Sequence, residues 1–347
     1  MTGRPTDLEL LEVQQFFGLP SVQLVDKDWH VIRAMQAISQ VDTGPFRLVF
    51  AGGTCLARAH KLVQRMSEDV DFKVVLDDEA PASANKLRKE LGALRDRITA
   101  ILQASDFAID PANTAQVRSR DANRYTVYNL TSGPTATAAT PLRPTLQIEL
   151  NYARLRLPSV ELPVGTFVSE AFTRPPEIAS IACASVTETA AEKLVSLTRR
   201  TAMELAGVSR APDPTLVRHI YDLHRVRDHI DRAMVIDLVR EISAQDAAEF
   251  GQQHPAYRAD ITGETRKALT FLQGDQVVAA RYKDFVAAMV YGDPGTFTEA
   301  IETVATLVDE AWNDCARLKS AQCPGPEGKV EHKPHFKVGW KFRTHPV

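Results

Sequence analysis

The first half of the chain alternates between the two periods that distinguish helices from strands. Apolar residues that recur every three or four positions predict helices, and strict alternation of polar and apolar residues predicts half-buried strands. We therefore expect helices over residues 8–17, 27–38, 55–66 and 81–105. We expect strands over residues 46–50, 67–75, 124–130 and 145–153. This order of elements predicts an α/β unit built on a mixed sheet with flanking helices.

The second half of the chain reads as helical almost to its end. Ser185 and Glu188 have the spacing of a capping box, in which Ser185 caps the helix and Glu188 reaches back. Gly207 is a plausible end for that helix. The change in pattern predicts three parts, a sheet unit with N-terminal helices, a helical domain and a C-terminal tail, over residues 1–180, 181–320 and 321–347.

Composition limits the class of protein. The chain has 347 residues, 44% of them hydrophobic and 24% charged, with a net charge of −3, which is the balance of a soluble globular protein. No segment approaches the ~18 consecutive apolar residues of a membrane span, and the first residues lack a secretory signal. We expect a cytoplasmic protein that does not enter a membrane. The four cysteines lack CxxC spacing, which argues against a disulfide framework and a thiolate zinc site.

Charge is distributed unevenly along the chain. Residues 317–347 carry seven Lys or Arg against two Glu, a net charge of +5, and they include Phe336, Trp340 and Phe342. A basic segment with aromatic residues suits a phosphate backbone and its bases. A solvated tail that only aids solubility has the same composition, so the pattern leaves both interpretations open.

The segment Gly52-Gly53-Thr54 follows a strand and precedes a helix. Glycines let a backbone approach a polyphosphate closely, and the first free amides of a helix, with the Thr54 hydroxyl, are anion donors. A tight turn without any ligand gives the same pattern, so the glycines alone decide nothing.

Acidic residues make the phosphate interpretation stronger. Ser67, Asp69 and Asp71 share one face of the predicted strand because side chains alternate with period two. Two neighbouring carboxylates repel each other unless a cation lies between them, and hard oxygen ligands suit Mg²⁺ (or Mn²⁺). Glu149 lies on the polar face of a later strand and is our candidate for a third acid. An exposed polar strand edge is the alternative.

The segment from Gly52 to Asp71 resembles a known signature. Gly52-Gly53-Thr54, followed by Arg65-Met66-Ser67-Glu68-Asp69-Val70-Asp71, is similar to the motif of AbiEii/AbiGii-type nucleotidyltransferase toxins. This family is a branch of the polymerase β-like nucleotidyltransferases and includes the MenT toxins of toxin–antitoxin pairs. The helical segments 187–200 and 217–226 resemble two further family motifs. The resemblance covers roughly residues 24–226.

The resemblance implies a polymerase β-like sheet and assigns roles to residues. Lys193 and Asp222 would join Asp69 and Asp71 as catalytic residues, with Asp69, Asp71 and Glu149 holding the metal. The triphosphate would be bound by Gly52, Gly53, Thr54, Arg58 and Ser67. Three positions depart from the family pattern: Ala57 and Arg58 shortly after Gly-Gly-Thr, and His219 in place of an aspartate. Arg199, Arg200, Arg218 and Arg225 are candidates for contacts with nucleotide phosphate or RNA.

The resemblance also implies an activity. We expect Mg²⁺-dependent transfer of a nucleoside monophosphate from a nucleoside triphosphate (NTP) to an acceptor hydroxyl, with release of pyrophosphate. The acceptor implied is the 3′ end of tRNA, whose extension blocks translation, and a cognate antitoxin encoded nearby is the implied partner. Nucleotidylation of a protein or a small molecule uses the same core and remains an alternative, as does an inactive nucleotide or RNA sensor.

Overall fold

The computed structural model describes residues 3–76, 83–131, 142–208 and 212–321, with side chains up to residue 313. The chain divides into two compact units, Met1–Ala311 and Trp312–Val347. The first contains the sheet and most of the helices, and the second begins within the last helix. The basic tail predicted over 321–347 lies outside the described residues beyond its first position. The boundary near residue 180 stays a prediction.

A seven-stranded mixed sheet forms the centre of the first unit. Its strands are β1 (Phe46–Ala51), β2 (Asp69–Leu76), β3 (Val117–Arg120), β4 (Tyr125–Thr131), β5 (Thr145–Tyr152), β6 (Val160–Val164) and β7 (Ile178–Cys183). Their order across the sheet is β3-β4-β5-β2-β1-β7-β6. Pairing is parallel between β2 and β5 and between β1 and β7, and antiparallel elsewhere. The fold class is therefore mixed α/β, as predicted.

Helices flank the sheet and make up most of the second half. They are α1 (Asp7–Phe17), α2 (Val22–Ile38), α3 (Gly52–Arg58), α4 (Ala84–Ala104), α5 (Phe167–Ala171), α6 (Val186–Leu205), α7 (Val217–Val226), α8 (Arg232–Phe250), α9 (Pro255–Ala259), α10 (Ile261–Gly274), α11 (Gln276–Met289) and α12 (Phe297–Ala321). A 3₁₀ turn, Pro214–Leu216, precedes α7. None of the described helices is long and apolar enough to cross a membrane.

The two faces of the sheet differ in polarity near its centre. Val70, Phe72 and Val74 of β2 belong to one apolar core that also holds buried residues of α2 and α4. The alternate residues of β2 point the other way, and Lys73 among them binds Glu188 of α6. Because side chains alternate along a strand, the acidic residues of β2 lie on the face that α6 covers.

Three local predictions need correction. The helix after the glycines ends at Arg58 rather than at residue 66, and Lys61 has a left-handed backbone, with φ 57°. The strand begins at Asp69, so Ser67 lies outside it. Ser185 caps α6 as predicted, but Glu188 does not reach back, because its carboxylate binds Lys73 and two backbone amides.

Candidate active site

The turn between β1 and α3 brings two glycines against charged side chains. Gly52 has a left-handed backbone, with φ 74°, and a Cβ atom there would overlap the carboxylate of Asp71. A Cβ atom at Gly53 would overlap the guanidinium of Arg65. Glycine is the residue that satisfies both the backbone conformation and the close approach. The two glycines therefore allow the turn between β1 and α3 to lie directly against the side chains of Asp71 and Arg65.

The predicted acids lie side by side on neighbouring strands. Asp71 is opposite Ala51 of β1 and opposite Glu149 of β5, while Asp69 is opposite Gln147. Residues in register on parallel strands present their side chains to the same face of a sheet. The structure thus brings Asp69, Asp71 and Glu149 to one face, next to the glycine turn.

Negative charge is concentrated at Asp71. Burial raises the pKa of this carboxyl to about 7, and the charges of Glu149 and Asp69 add to the shift, while Lys193 and Arg65 oppose it. An ionised carboxylate that is costly to keep charged is stabilised by any cation that approaches it. A cation bound beside Asp71 would therefore stabilise the ionised form of this carboxyl group.

The other two acids already have partners. The carboxylate of Asp69 accepts two hydrogen bonds from Arg143, at 2.8 and 3.3 Å. The carboxylate of Glu149 accepts a hydrogen bond from the Gln147 amide and interacts with the Tyr125 hydroxyl. Across the described ranges, no group of three or more His, Cys, Asp or Glu side chains is close enough to hold a metal ion.

Asp222 is the centre of a buried ion-pair cluster. Its carboxylate accepts hydrogen bonds from Arg65 Nε at 2.6 Å and Arg65 Nη2 at 2.7 Å, and Lys193 Nζ lies 2.8 Å away. All three side chains are buried. Burial alone would raise the pKa of Asp222, but the charges and hydrogen bonds of Arg65 and Lys193 outweigh it and hold the pKa well below its usual range. The cluster ties α6 and α7 to the loop before β2.

A cavity of about 300 Å³ lies between these two groups of residues. Gly52, Gly53, Asp69 and Asp71 line it on the side of the sheet. Four cationic side chains line it as well: Arg65, Lys193, Arg200 and Arg218. Its volume is at the lower end of the range for small-molecule sites, which is roughly 300–1,000 Å³. The cavity thus combines oxygen ligands for a cation with cations for an anion.

Arg218 differs from the other three cations, because the described residues give it no ion pair, although the charges of Asp69 and Glu68 act on it. Within the part of the chain that the structure describes, its side chain has no hydrogen-bond or ion-pair partner. Burial and the neighbouring charge of Arg65 lower the pKa of Arg218. Arg200, by contrast, binds the carboxylate of Asp213. A partly buried guanidinium without a hydrogen-bonded partner favours an anionic ligand.

Three residues expected to contact the nucleotide lie in different surroundings. Ser67 lines the cavity from the loop before β2. Thr54 is buried, and its hydroxyl donates to the backbone carbonyl of Asp69. Arg58 does not line the cavity, because its buried guanidinium binds Asp28 at 3.2 Å and the Gly165 carbonyl at 2.6 Å. Thr54 thus positions the acidic strand, and Arg58 joins α3 to α2 and the segment before α5.

Lys73 continues the polar face of β2 beyond Asp71. Its ammonium lies 2.5 Å from Glu188 and 2.7 Å from Glu192, both on α6. The second oxygen of Glu188 accepts from the backbone amides of Arg156 and Leu157. These contacts join β2, the strand of Asp69 and Asp71, to the helix that carries Lys193. They set the spacing between the two walls of the cavity.

The residues present fit a divalent cation through Asp69 and Asp71, and Glu149 as a third ligand stays a prediction. A magnesium ion in proteins is commonly held by one or two carboxylates together with water and substrate phosphates. Asp69 and Asp71 supply that donor set at the rim of the glycine turn, where burial and the charges of Glu149 and Asp69 raise the pKa of Asp71. Glu149 faces Asp71 but is held by Gln147 and Tyr125.

Sequence reasoning missed three charged residues of the site. Arg65 and Arg143 contact Asp222 and Asp69, and Lys73 binds α6. Arg65 is part of the motif that resembles the family signature. Lys73 lies two residues after Asp71, so the alternation of side chains along the strand predicts that it shares the face of Asp69 and Asp71. Arg143 follows a Pro- and Thr-rich stretch, and no local pattern marks it.

Comparison with known families identifies the family of this chain. The sequence model of the AbiEii nucleotidyl transferase toxins, of a type IV toxin–antitoxin system, matches residues 33–309. The chain belongs to this family. It is therefore a toxin nucleotidyltransferase, and its system implies a cognate antitoxin.

Other comparisons are more distant. Among solved structures, the chain is similar to MenT4, a nucleotidyltransferase toxin from Mycobacterium tuberculosis H37Rv. The two are 19% identical, with a TM-score of 0.46, over 86% of this chain and 98% of the other. No curated protein matches the chain.

Proposed function

We propose that this toxin transfers a nucleoside monophosphate from an NTP to a hydroxyl at the 3′ end of tRNA and thereby blocks translation. The observation that carries the proposal is the cavity in which Asp69 and Asp71 lie with Lys193 and Arg218 beside the glycine turn. Nucleotidyl transfer needs oxygen ligands for a metal and cations for phosphate in one place. This cavity provides both.

In this proposal the chain's own groups bind and orient the triphosphate. The backbone at Gly52 and Gly53 approaches the phosphates, and Lys193 and Arg218 neutralise their charge. Asp69 and Asp71 would hold Mg²⁺ or Mn²⁺, which would neutralise charge that develops on the phosphate oxygens. Asp222 orients Lys193 through their ion pair.

The transfer forms one bond to the α-phosphorus and breaks another. The acceptor oxygen forms a bond to the α-phosphorus, the bond from that phosphorus to the bridging oxygen breaks, and pyrophosphate leaves. We assign the proton of the acceptor hydroxyl to Glu149, because this carboxylate faces Asp71 from the neighbouring strand. The sheet part, 1–180, would then carry the metal ligands, and the helical part, 181–320, would carry Lys193.

A second cavity supports a large acceptor. It has a volume of about 1000 Å³ and shares Glu192 and Ser196 with the first. Five arginines line it: Arg120, Arg124, Arg154, Arg156 and Arg199. The guanidinium of Arg120 lies over the Tyr125 ring, 4.7 Å from its centroid. Guanidinium and aromatic planes are the surfaces on which bases of single-stranded RNA stack.

The test is to follow label from each of the four α-³²P-labelled ribonucleoside triphosphates. The protein is incubated with Mg²⁺, purified total tRNA and a protein extract, and the products are separated by size and by nuclease or protease sensitivity. We expect label at the 3′ end of tRNA. Label in protein would instead support protein nucleotidylation, and tight NTP binding without any transfer would support a sensor.

A further inference from the structure

Arg143 has a backbone that is fixed and a side chain that is not. Its backbone amide donates to Glu68 Oε1 at 2.7 Å, and its carbonyl accepts from Lys27 Nζ at 3.0 Å. Both partners are buried, with 0% of Glu68 and 5% of Lys27 exposed. The guanidinium, by contrast, belongs to a side chain that is 37% exposed. The residue is therefore anchored at the edge of the site with a long charged arm.

That arm covers the oxygens of Asp69. Nη1 lies 2.8 Å from Oδ1, Nη2 lies 3.3 Å from Oδ2, and Nη1 also donates to Gln147 Oε1 at 2.9 Å. A guanidinium and a divalent cation that approach the same carboxylate repel each other, so the guanidinium weakens binding of the cation unless it moves away. The two positive charges compete for the same ligand.

We propose that Arg143 is the counter-ion of Asp69 in the nucleotide-free enzyme, that the divalent cation displaces it, and that the released guanidinium then binds the triphosphate. The inference rests on the proposed function, since it takes Asp69 as a metal ligand. It makes Arg143 a residue that opposes binding of the bare cation and favours binding of the cation with its polyphosphate.

The exchange is energetically feasible. A part-exposed ion pair contributes little, so a divalent cation can displace it. The planar guanidinium matches phosphate oxygens as well as it matches a carboxylate. Because Lys27 and Glu68 hold the backbone of Arg143, the side chain swings from a fixed point at the rim of the cavity.

The test uses Arg143→Gln in the full-length protein, with Arg95→Gln as the matched control. Arg95 binds Asp96 with Nη2 2.7 Å from Oδ1, and its side chain is 32% exposed, but it lies on α4 away from the cavity. Free Mn²⁺ is followed by electron paramagnetic resonance, first alone and then with inorganic tripolyphosphate. Thermal unfolding of each variant confirms that it is folded.

Arg143→Gln is expected to bind Mn²⁺ alone about three- to tenfold more tightly than the wild type, since the competing charge is gone. The same variant is expected to bind tripolyphosphate, in the presence of Mn²⁺, about three- to tenfold more weakly. Arg95→Gln should leave both affinities unchanged. Opposite changes in the two affinities are a signature that general damage to the site does not produce.

Two results would overturn the inference. If Arg143→Gln bound Mn²⁺ alone no more tightly than the wild type, Arg143 would not compete with the cation, and the metal site itself would stand. If neither the wild type nor Arg143→Gln bound Mn²⁺, Asp69 would not be a metal ligand. The same would follow if Asp69→Asn bound Mn²⁺ as tightly as the wild type does. The second result removes the metal assignment of the proposed function as well.

Discussion

Lys193 of α6 and Asp222 of α7 form a buried ion pair, with Nζ 2.8 Å from Oδ2, and Arg65 binds the same carboxylate through two hydrogen bonds. One acid thus balances two buried cations. The arrangement holds Lys193 at the wall of the cavity and joins two helices to the loop before the acidic strand. We therefore expect catalysis and stability to depend on the same carboxylate.

Replacing Asp222 by Asn should destabilise the protein by about 3–5 kcal/mol, because two buried cations lose their counter-ion. The free energy of unfolding is measured by urea denaturation. Asp228→Asn is the control, since Asp228 is an exposed member of a pair with Arg227, and it should cost at most about 0.5 kcal/mol. Equal effects of the two substitutions would show that the cluster contributes nothing.

The pH dependence of the same residue follows from its lowered pKa. An acid with a lowered pKa in the folded state stabilises fully above the pKa of the unfolded chain, about 3.9, and this contribution is lost as the pH falls further. The wild type should therefore lose stability steeply below about pH 4, and Asp222→Asn should lose it less steeply. Parallel pH profiles would contradict the assignment.

Substitution of Gly52 separates backbone strain from close approach. Gly52→Ala and Gly207→Ala both place alanine at a positive φ, 74° and 67°. A Cβ at Gly207 meets nothing within 4 Å, whereas one at Gly52 overlaps Asp71. We expect Gly207→Ala to cost about 1–2 kcal/mol and to stay active. Gly52→Ala should cost more and reduce nucleotidyl transfer about a hundredfold or more. Equal activity of the two variants would show that the turn does not serve the site.

Asp71 should make the metal-free protein less stable as the pH rises. Its pKa in the folded state is raised to about 7, so the folded chain holds the proton longer than the unfolded chain does. The free energy of unfolding should therefore fall as the pH rises from about 4 to about 7. In Asp71→Asn this fall should be smaller by about 1–3 kcal/mol.

Binding of Mn²⁺ should stabilise the folded protein if Asp71 is one of the ligands. Addition of Mn²⁺ should raise the melting temperature of the wild type at pH 8 and leave that of Asp71→Asn unchanged. A variant as responsive to Mn²⁺ as the wild type would rule out Asp71 as a ligand.

Lys73 should matter for the spacing of the two cavity walls. Lys73→Met keeps the volume of the side chain but leaves Glu188 buried without its cation, which should cost about 2–4 kcal/mol. Lys61→Met is the control, because Lys61 is exposed and its pair with Glu170 lies at the surface. Unfolding curves of the two variants that coincide would contradict the role given to Lys73.

The sequence predicts the central part of this site well, for physical reasons. Period two places Asp69 and Asp71 on one face whatever surrounds the strand, and the glycines mark a turn that side chains would block. Helix caps are equally local, so Ser185 is found where its spacing predicts it.

Long-range contacts lie beyond local patterns. Arg143 is 74 residues from Asp69 along the chain, and Arg65 is 157 residues from Asp222. Glu188 has the spacing of a capping residue, but it binds Lys73 because a buried ammonium from another strand is the stronger partner. Arg58 follows the glycine turn in sequence, yet Asp28 and the Gly165 carbonyl hold it away from the cavity.

The central claim is that Asp69 and Asp71 carry nucleotidyl transfer. The most direct measurement is the rate at which label passes from an α-³²P-labelled NTP to tRNA, for the wild type, Asp69→Asn, Asp71→Asn and the control Asp96→Asn, with folding checked by thermal unfolding. Either active-site substitution should lower the rate about a hundredfold or more while Asp96→Asn keeps it. Transfer at the wild-type rate by folded Asp69→Asn or Asp71→Asn would contradict the account.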